Sequence, residues 1–242
     1  MLVLVPTFLG PAAASDLFPE KVQETIRTTR VYIAENAKTA RHHLKAICPE
    51  ISLPSLVVHE LNKHQPEQGI REFLQPALEG ETVALISEAG VPGVADPGAL
   101  VVAEAHRLGI RVVPLVGPSS LLLALMASGL NGQQFAFNGY LPVEPGPRKK
   151  MWAHLEQKSA GNTPLPSAQL LIETPYRNTA TFESALQSLR PDTYLCVAMD
   201  LTTETEWIKT LRISEWKKSP APNLHKRPCI FILQAESGRR MQ

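Results

Sequence analysis

The chain has almost no net charge: 24 lysines and arginines stand against 23 acidic residues, leaving +1 over 242 residues. A whole-chain electrostatic grip on nucleic acid is not indicated, so any such contact must come from local patches. Cysteine is scarce. Cys48, Cys196 and Cys229 are widely separated and show no metal-ligand spacing, so they read as reduced thiols of a cytoplasmic protein. His59 and His64, beside Glu60, stand five apart in a polar stretch, and that setting does not suit a metal; none is expected. No apolar run reaches the length of a membrane span. The nearest, residues 119–130, contains small residues and reads as a buried core helix. The first residues are apolar but lack a positive leading region, and Pro6 and Gly10 interrupt them. They read as a strand and loop, not a secretory leader. A Gly-x-Ser-x-Gly nucleophile motif is also missing, in keeping with chemistry that needs no covalent intermediate. The remaining composition, 44% hydrophobic and 19% charged, is that of an ordinary globular protein.

What is present is organised around residues 86–98, Ile-Ser-Glu-Ala-Gly-Val-Pro-Gly-Val-Ala-Asp-Pro-Gly. A short apolar run, residues 82–86, precedes this stretch and reads as a buried strand; an amphipathic run, 99–108, follows it and reads as a helix. A strand that ends in a glycine- and proline-rich loop before a helix is where open α/β sheets place ligands. Gly90, Gly93 and Gly98 permit close backbone approach, and Pro92 and Pro97 stiffen the loop. Asp96 and Pro97 also suit a helix N-cap and a first helical position.

Before this loop the pattern predicts strands at 2–5, 31–34 and, as a short edge, 55–58, with helices at 20–29 and 68–78 and another that residues 35–41 open. Asn36 suits the cap of the second helix. After the loop a strand at 110–113 completes the alternation, which predicts a mostly parallel sheet with helices on both faces in an N-terminal α/β domain, residues 1–114. A composition shift at 114–118 marks a boundary. The second α/β domain, 118–242, reads as a helix at 121–128, a strand at 134–140, a mobile basic loop at 145–150 opening a helix, and a surface linker at 159–167. A strand at 169–172, a helix at 179–189 and strands at 194–199, 205–211 and 229–233 follow, a succession that suggests a mixed sheet with antiparallel pairs.

The loop sequence Ser-Glu-Ala-Gly-Val-Pro-Gly-Val-Ala-Asp-Pro-Gly resembles the Ser-Asp-Ala-Gly-Thr-Pro-x-x-x-Asp-Pro-Gly loop of the tetrapyrrole (corrin/porphyrin) methylase superfamily. Its Asp-Pro-Gly ending resembles the branch that methylates a cytidine ribose 2′-hydroxyl in small-subunit ribosomal RNA. Gly-Pro-Ser-Ser at 117–120, Gly-Tyr-Leu-Pro at 139–142, Glu-Thr-Pro-Tyr-Arg at 173–177 and Asp-Leu-Thr at 200–202 resemble further family elements, with Tyr176 in place of a histidine. Residues 35–41 resemble Glu-Asp-Thr-Arg-x-Thr-Arg only at Glu35 and Arg41; Asn36, Ala37, Lys38 and Ala40 depart from it.

The resemblance covers nearly the whole chain. It implies two α/β domains, S-adenosylmethionine in a cleft between them, and a homodimer. By correspondence the cofactor contacts are Pro6, Gly90, Val91, Val94, Ser119, Ser120, Thr174 and Leu201. A ribose hydroxyl needs a base to take its proton. Glu35, Glu88 and Glu173 stand at strand ends, with Glu88 or Glu35 expected as base or orienter. Lys38, Arg41 and Arg177 are expected to meet substrate phosphate or to clamp carboxylates; His42 and His43 read as solvated. Two alternatives stay open: the same chemistry on a tetrapyrrole or other small molecule, and a catalytically silent protein that binds the cofactor or RNA.

Overall fold

The computed structural model describes residues 1–62, 65, 67–161 and 165–236, so His64 and the middle of the 159–167 linker lie outside it. Two compact units divide the chain, Met1–Ser119 and Ser120–Gln242.

The first unit runs β1 (Leu2–Val5), α1 (Ala14–Leu17), α2 (Glu20–Thr28), β2 (Val31–Ala34), α3 (Ala37–Ile47), β3 (Val57–Glu60), α4 (Ile70–Phe73), α5 (Gln75–Leu78), β4 (Val83–Ile86), α6 (Gly98–Arg107) and β5 (Val112–Pro114). Its sheet has the order β3-β2-β4-β1-β5, with every pair parallel. Alternate strand residues enter two separate cores. Val3 and Val5 pack with Val22, Ile26, Leu44 and Ile47 from α2 and α3. Leu2, Ile33 and Leu85 pack with Leu74, Ala77, Val101 and Ala105 around α4 to α6. Both faces are covered, so the strands read as continuous apolar runs.

Three boundaries differ from the sequence reading. The edge strand is Val57–Glu60, because Leu53–Ser55 forms a 3-10 turn with Pro54 inside it. The expected helix at 68–78 is split at Leu74, because Pro76 has no N–H to continue the ladder. The last strand is Val112–Pro114 rather than 110–113.

The second unit runs α7 (Ser120–Ser128), β6 (Phe135–Phe137), α8 (Pro145–Ala160), β7 (Ala168–Glu173), α9 (Asn178–Ser188), β8 (Tyr194–Met199), β9 (Trp207–Arg212), α10 (Ile213–Trp216) and β10 (Cys229–Gln234). Its sheet has the order β6-β7-β10-β8-β9; β6 and β7 are parallel and the other pairs antiparallel. Trp152, Phe182, Ala185 and Trp216 pack on Leu171, Val197 and Phe231. Phe182 meets Trp216 edge to face at 5.3 Å, a favoured aromatic geometry. α7 packs against β8, β9 and β10, and the Thr210 hydroxyl donates to the Ser128 carbonyl at 2.7 Å.

The strand expected at 134–140 stops at Phe137; Gly139, at φ 67°, turns the chain away. The strand expected from residue 205 begins at Trp207, since the Thr205 hydroxyl is bonded to Asp200. Residues 145–150 are not a loop. They form the first turns of α8, where the missing N–H groups of Pro145 and Pro147 cost nothing.

Candidate active site

β4 ends at Ile86, and the chain turns at once. The Ser87 hydroxyl donates to the Gly90 carbonyl at 2.8 Å, and the Thr7 backbone N–H donates to the same oxygen at 2.8 Å. Thr7 and Ser87 are both buried. One carbonyl thus fastens the loop after β4 to the loop after β1, and these strands are neighbours in the sheet. Further on, Ala95 is held at φ 60°, a conformation that costs a non-glycine residue about 1–3 kcal/mol.

Asp96 braces this bend. Its Oδ1 accepts from Gly93 N at 2.9 Å and from Gly98 N at 2.7 Å. Burial raises its pKa, opposed by the two N–H bonds. The N-cap position itself is Pro97, one residue later than the sequence suggested, with no side-chain cap. Asp96→Ala is expected to lower stability by about 2 kcal/mol, since two backbone donors lose their acceptor. Asp96→Asn keeps an acceptor oxygen and is expected to lose less than half as much. Urea unfolding of both variants checks this, and equal losses would contradict the brace.

Three loops at the carboxyl ends of adjacent strands draw close together. A Cβ on Gly90, which sits at φ +73°, would stand 3.0 Å from Leu9 Cδ2 and 3.2 Å from the Pro118 carbonyl oxygen. A Cβ on Gly117 would stand 2.3 Å from both Cβ and Cγ of Pro6. The loops after β1, β4 and β5 therefore pack so closely that neither glycine has room for a side chain.

Beside them lies a cavity of about 430 Å³, lined by Phe8, His42, His43, Ala46, Glu88 and Ala89 among others. That volume falls in the range of small-molecule sites. His43 Nε2 lies 3.0 Å from the Glu88 carbonyl oxygen. A carbonyl only accepts, so Nε2 carries the proton, and burial lowers the ring's pKa toward the neutral form. Nδ1 is then an acceptor, and it is buried without a partner. The Phe8 ring stacks on His43 at 6.1 Å. The Glu88 side chain is exposed at the rim.

Sequence reasoning left His42 and His43 in solvent; the structure puts both on the cavity wall. A signal existed for His43: position 43 falls on the stripe formed by the buried residues Ala40, Leu44 and Ile47 of α3. A polar residue on an apolar stripe invites a question about its partner.

The other expected residues fall as follows. Pro6 is buried against Gly117, and Gly90, Val91 and Val94 form the fastened turn, with Val94 exposed. Ser119 ends the first unit, and Ser120 opens α7 in the second. Thr174 is exposed just after β7, its N–H donating to Glu173 Oε1 at 2.8 Å. Leu201 is buried between Asp200 and Thr202, both at positive φ. Asn36 caps α3 by accepting from Thr39 N at 2.9 Å. The Glu60 carboxylate reaches from the end of β3 to Ala37 N at 2.5 Å, a cap the sequence did not announce. Glu35 is half-buried at the end of β2; Lys38 is exposed and Arg41 half-buried on α3. Arg177 clamps a carboxylate of its own unit. Its Nη2 lies 2.8 Å from Glu173 Oε2 and 2.9 Å from the Leu141 carbonyl oxygen.

Among the described residues, no helix is long and apolar enough to cross a membrane, and no group of three or more His, Cys, Asp or Glu could hold a metal ion.

Comparison with known proteins sets this geometry in a family. Ribosomal RNA small subunit methyltransferase I of Synechocystis is 32% identical over 214 residues, which are 88% of this chain and 71% of that protein. The protein of the same name from Escherichia coli O157:H7 is 26% identical over 98% of this chain and 79% of its own length. Two solved structures share the fold. The methyltransferase CobJ has a TM-score of 0.62 at 18% identity, covering 100% of this chain and 96% of its own. Uroporphyrin-III C-methyl transferase from Thermus thermophilus, solved with S-adenyl homocysteine, has a TM-score of 0.53 at 19% identity, covering 96% of each chain. The family of tetrapyrrole (corrin/porphyrin) methylases matches residues 2–216, so the pinned turn after β4, the whole first sheet and every strand of the second but β10 fall within the match, and the chain belongs to that family.

Proposed function

We propose that this chain transfers a methyl group from S-adenosylmethionine to a ribose 2′-hydroxyl of small-subunit ribosomal RNA. The observation that carries the reading is the turn at Gly90, fastened at the carboxyl ends of the central strands and standing beside a cavity with a carboxylate at its rim. Relatives named for small-subunit ribosomal RNA methylation support the acceptor.

When bound, S-adenosylmethionine supplies an electrophilic methyl carbon on a sulfonium. The residues present suit such a donor. Gly90 and Gly117 leave no room for side chains of their own, so the loops around them can form a tight, rigid seat. Pro6, Gly90, Val91, Val94 and Ser119 of the first unit, and Ser120, Thr174 and Leu201 of the second, are the proposed donor contacts. Glu88 takes the proton of the attacking hydroxyl, and Glu35 orients the acceptor. Lys38 and Arg41 meet acceptor phosphates from α3. Arg177 already shares its Nη2 with Glu173 and Leu141, so any role toward the acceptor falls to its remaining donors. The rest of the catalytic contribution is alignment to within about 3–3.5 Å and exclusion of water.

Labelled donor incubated with unmodified small ribosomal subunits tests the acceptor. Label in the RNA is the expected result. Label on a tetrapyrrole instead, or donor binding with transfer to no acceptor, would move the chain to one of the two competing readings.

The protein works as a homodimer in the cytoplasm, where its acceptor is found. α7 supports the dimer: Leu122 and Met126, four residues apart, are 52% and 78% exposed on an otherwise apolar helix. Light scattering should give about twice the 26.5 kDa of one chain. A monomer mass at working concentration would remove this part of the proposal.

A further inference from the structure

Among the described residues of the second unit, one buried charge is left unanswered. Arg148, on α8, is only 9% exposed. Among the described residues its side chain makes no ion pair and no hydrogen bond, and its Nε is buried without a partner. The unit does not treat its other buried charges this way. Glu156, 7% exposed, accepts from Arg190 N and the Thr193 hydroxyl and pairs with the Arg190 side chain. Glu173 accepts from Thr174 N and the Thr181 hydroxyl and pairs with Arg177.

Two more buried donors of the second unit are unanswered. Trp152 follows it by one helical turn on the same face of α8, fully buried, with Nε1 unpartnered. Arg177 donates through Nη2 to the carbonyl of Leu141, a member of the same core as Trp152, and its Nε is also unpartnered. A guanidinium keeps its charge in proteins, and a buried charge is expected to be paired or to hold a ligand. Its planar fork suits the paired oxygens of a phosphate. Lys149 and Lys150, exposed on the same turn of α8, extend the positive surface. With a net charge of +1, the chain needs such a local patch to hold a polyanion.

We infer that Arg148 anchors an anion site in the second unit, and that the anion is a backbone phosphate of the RNA acceptor. This rests on the ribosomal RNA reading given above.

Arg148→Met and Arg148→Lys test it, with three readouts on the full chain. A buried charge without a partner adds nothing to folding, so the methionine variant should keep or raise the thermal midpoint. Its affinity for S-adenosylmethionine should be unchanged. Its affinity for a small-subunit ribosomal RNA fragment should fall, and the slope of log K against log salt should shrink by about 0.7–0.9, the signature of one lost phosphate contact. The lysine variant should retain most of that slope. An unchanged slope in Arg148→Met overturns the anchor, and so does a lowered thermal midpoint without a change in slope. The two readings fail separately. RNA binding that depends on Arg148 without methyl transfer keeps the anchor and removes the acceptor. Methyl transfer with an unchanged salt slope keeps the acceptor and removes the anchor.

Discussion

Replacing Gly117 with alanine is expected to cost about 3 kcal/mol of stability, at the upper end of what overpacking usually costs. The added Cβ would stand 2.3 Å from two atoms of the Pro6 ring. A proline ring cannot swing aside as a long side chain can, so the backbone of one loop must move. Gly117 does not sit at positive φ, and the whole cost is therefore steric. Gly109 supplies the contrast. It lies at φ +72° with nothing within 4 Å of an added Cβ, so Gly109→Ala should cost only about 1–2 kcal/mol, the left-handed backbone penalty alone. Pro6 is also a proposed donor contact, and Gly117→Ala should weaken donor binding where Gly109→Ala does not. Denaturant unfolding and donor titration of the two variants check both statements. Equal losses of stability would mean that the loops after β1 and β5 yield freely and do not form a rigid seat.

Glu88→Gln is expected to slow methyl transfer by about 10²–10⁴-fold, the usual worth of a general base. The side chain is exposed at the rim of the cavity, and it is the Glu88 carbonyl, not its carboxylate, that holds His43. Glutamine should therefore leave the thermal midpoint, the His43 contact and the donor affinity in place while removing the proton acceptor. Single-turnover rates with saturating donor and RNA give the answer. A variant as fast as the wild type would pass the role to Glu35 or leave alignment as the only device, and Glu35→Gln separates those two outcomes.

Much of the first unit was legible because its physics is local. Leu2–Val5, Val31–Ala34 and Val83–Ile86 are buried on both faces, and such strands announce themselves as unbroken apolar runs. Asn36 declared its cap through its own chemistry. The places where the reading slipped are places where two signals compete. Pro-Gly-Pro at 145–147 reads as a loop, yet a first helical turn has no intrahelical use for those N–H groups, so α8 begins there. Pro76, deeper in an apparent helix, does break it.

The site was legible in its main-chain half and not in its side-chain half. The Gly90 turn is a feature of contiguous residues, and sequence displays it whole. The capping of Ala37 by Glu60, the bond from Thr7 N to the Gly90 carbonyl and the place of His43 against Glu88 join residues far apart in the chain. No spacing rule reports such pairs. Arg148 was visible only as one member of a basic run, and its burial depends on a helix that the sequence reading started too late.

The most direct test of the central claim is calorimetric titration of the purified chain with S-adenosylmethionine and with its demethylated product. The account predicts saturable heat for both, with one site per chain. A flat titration for both ligands, on protein shown to be folded, would contradict it.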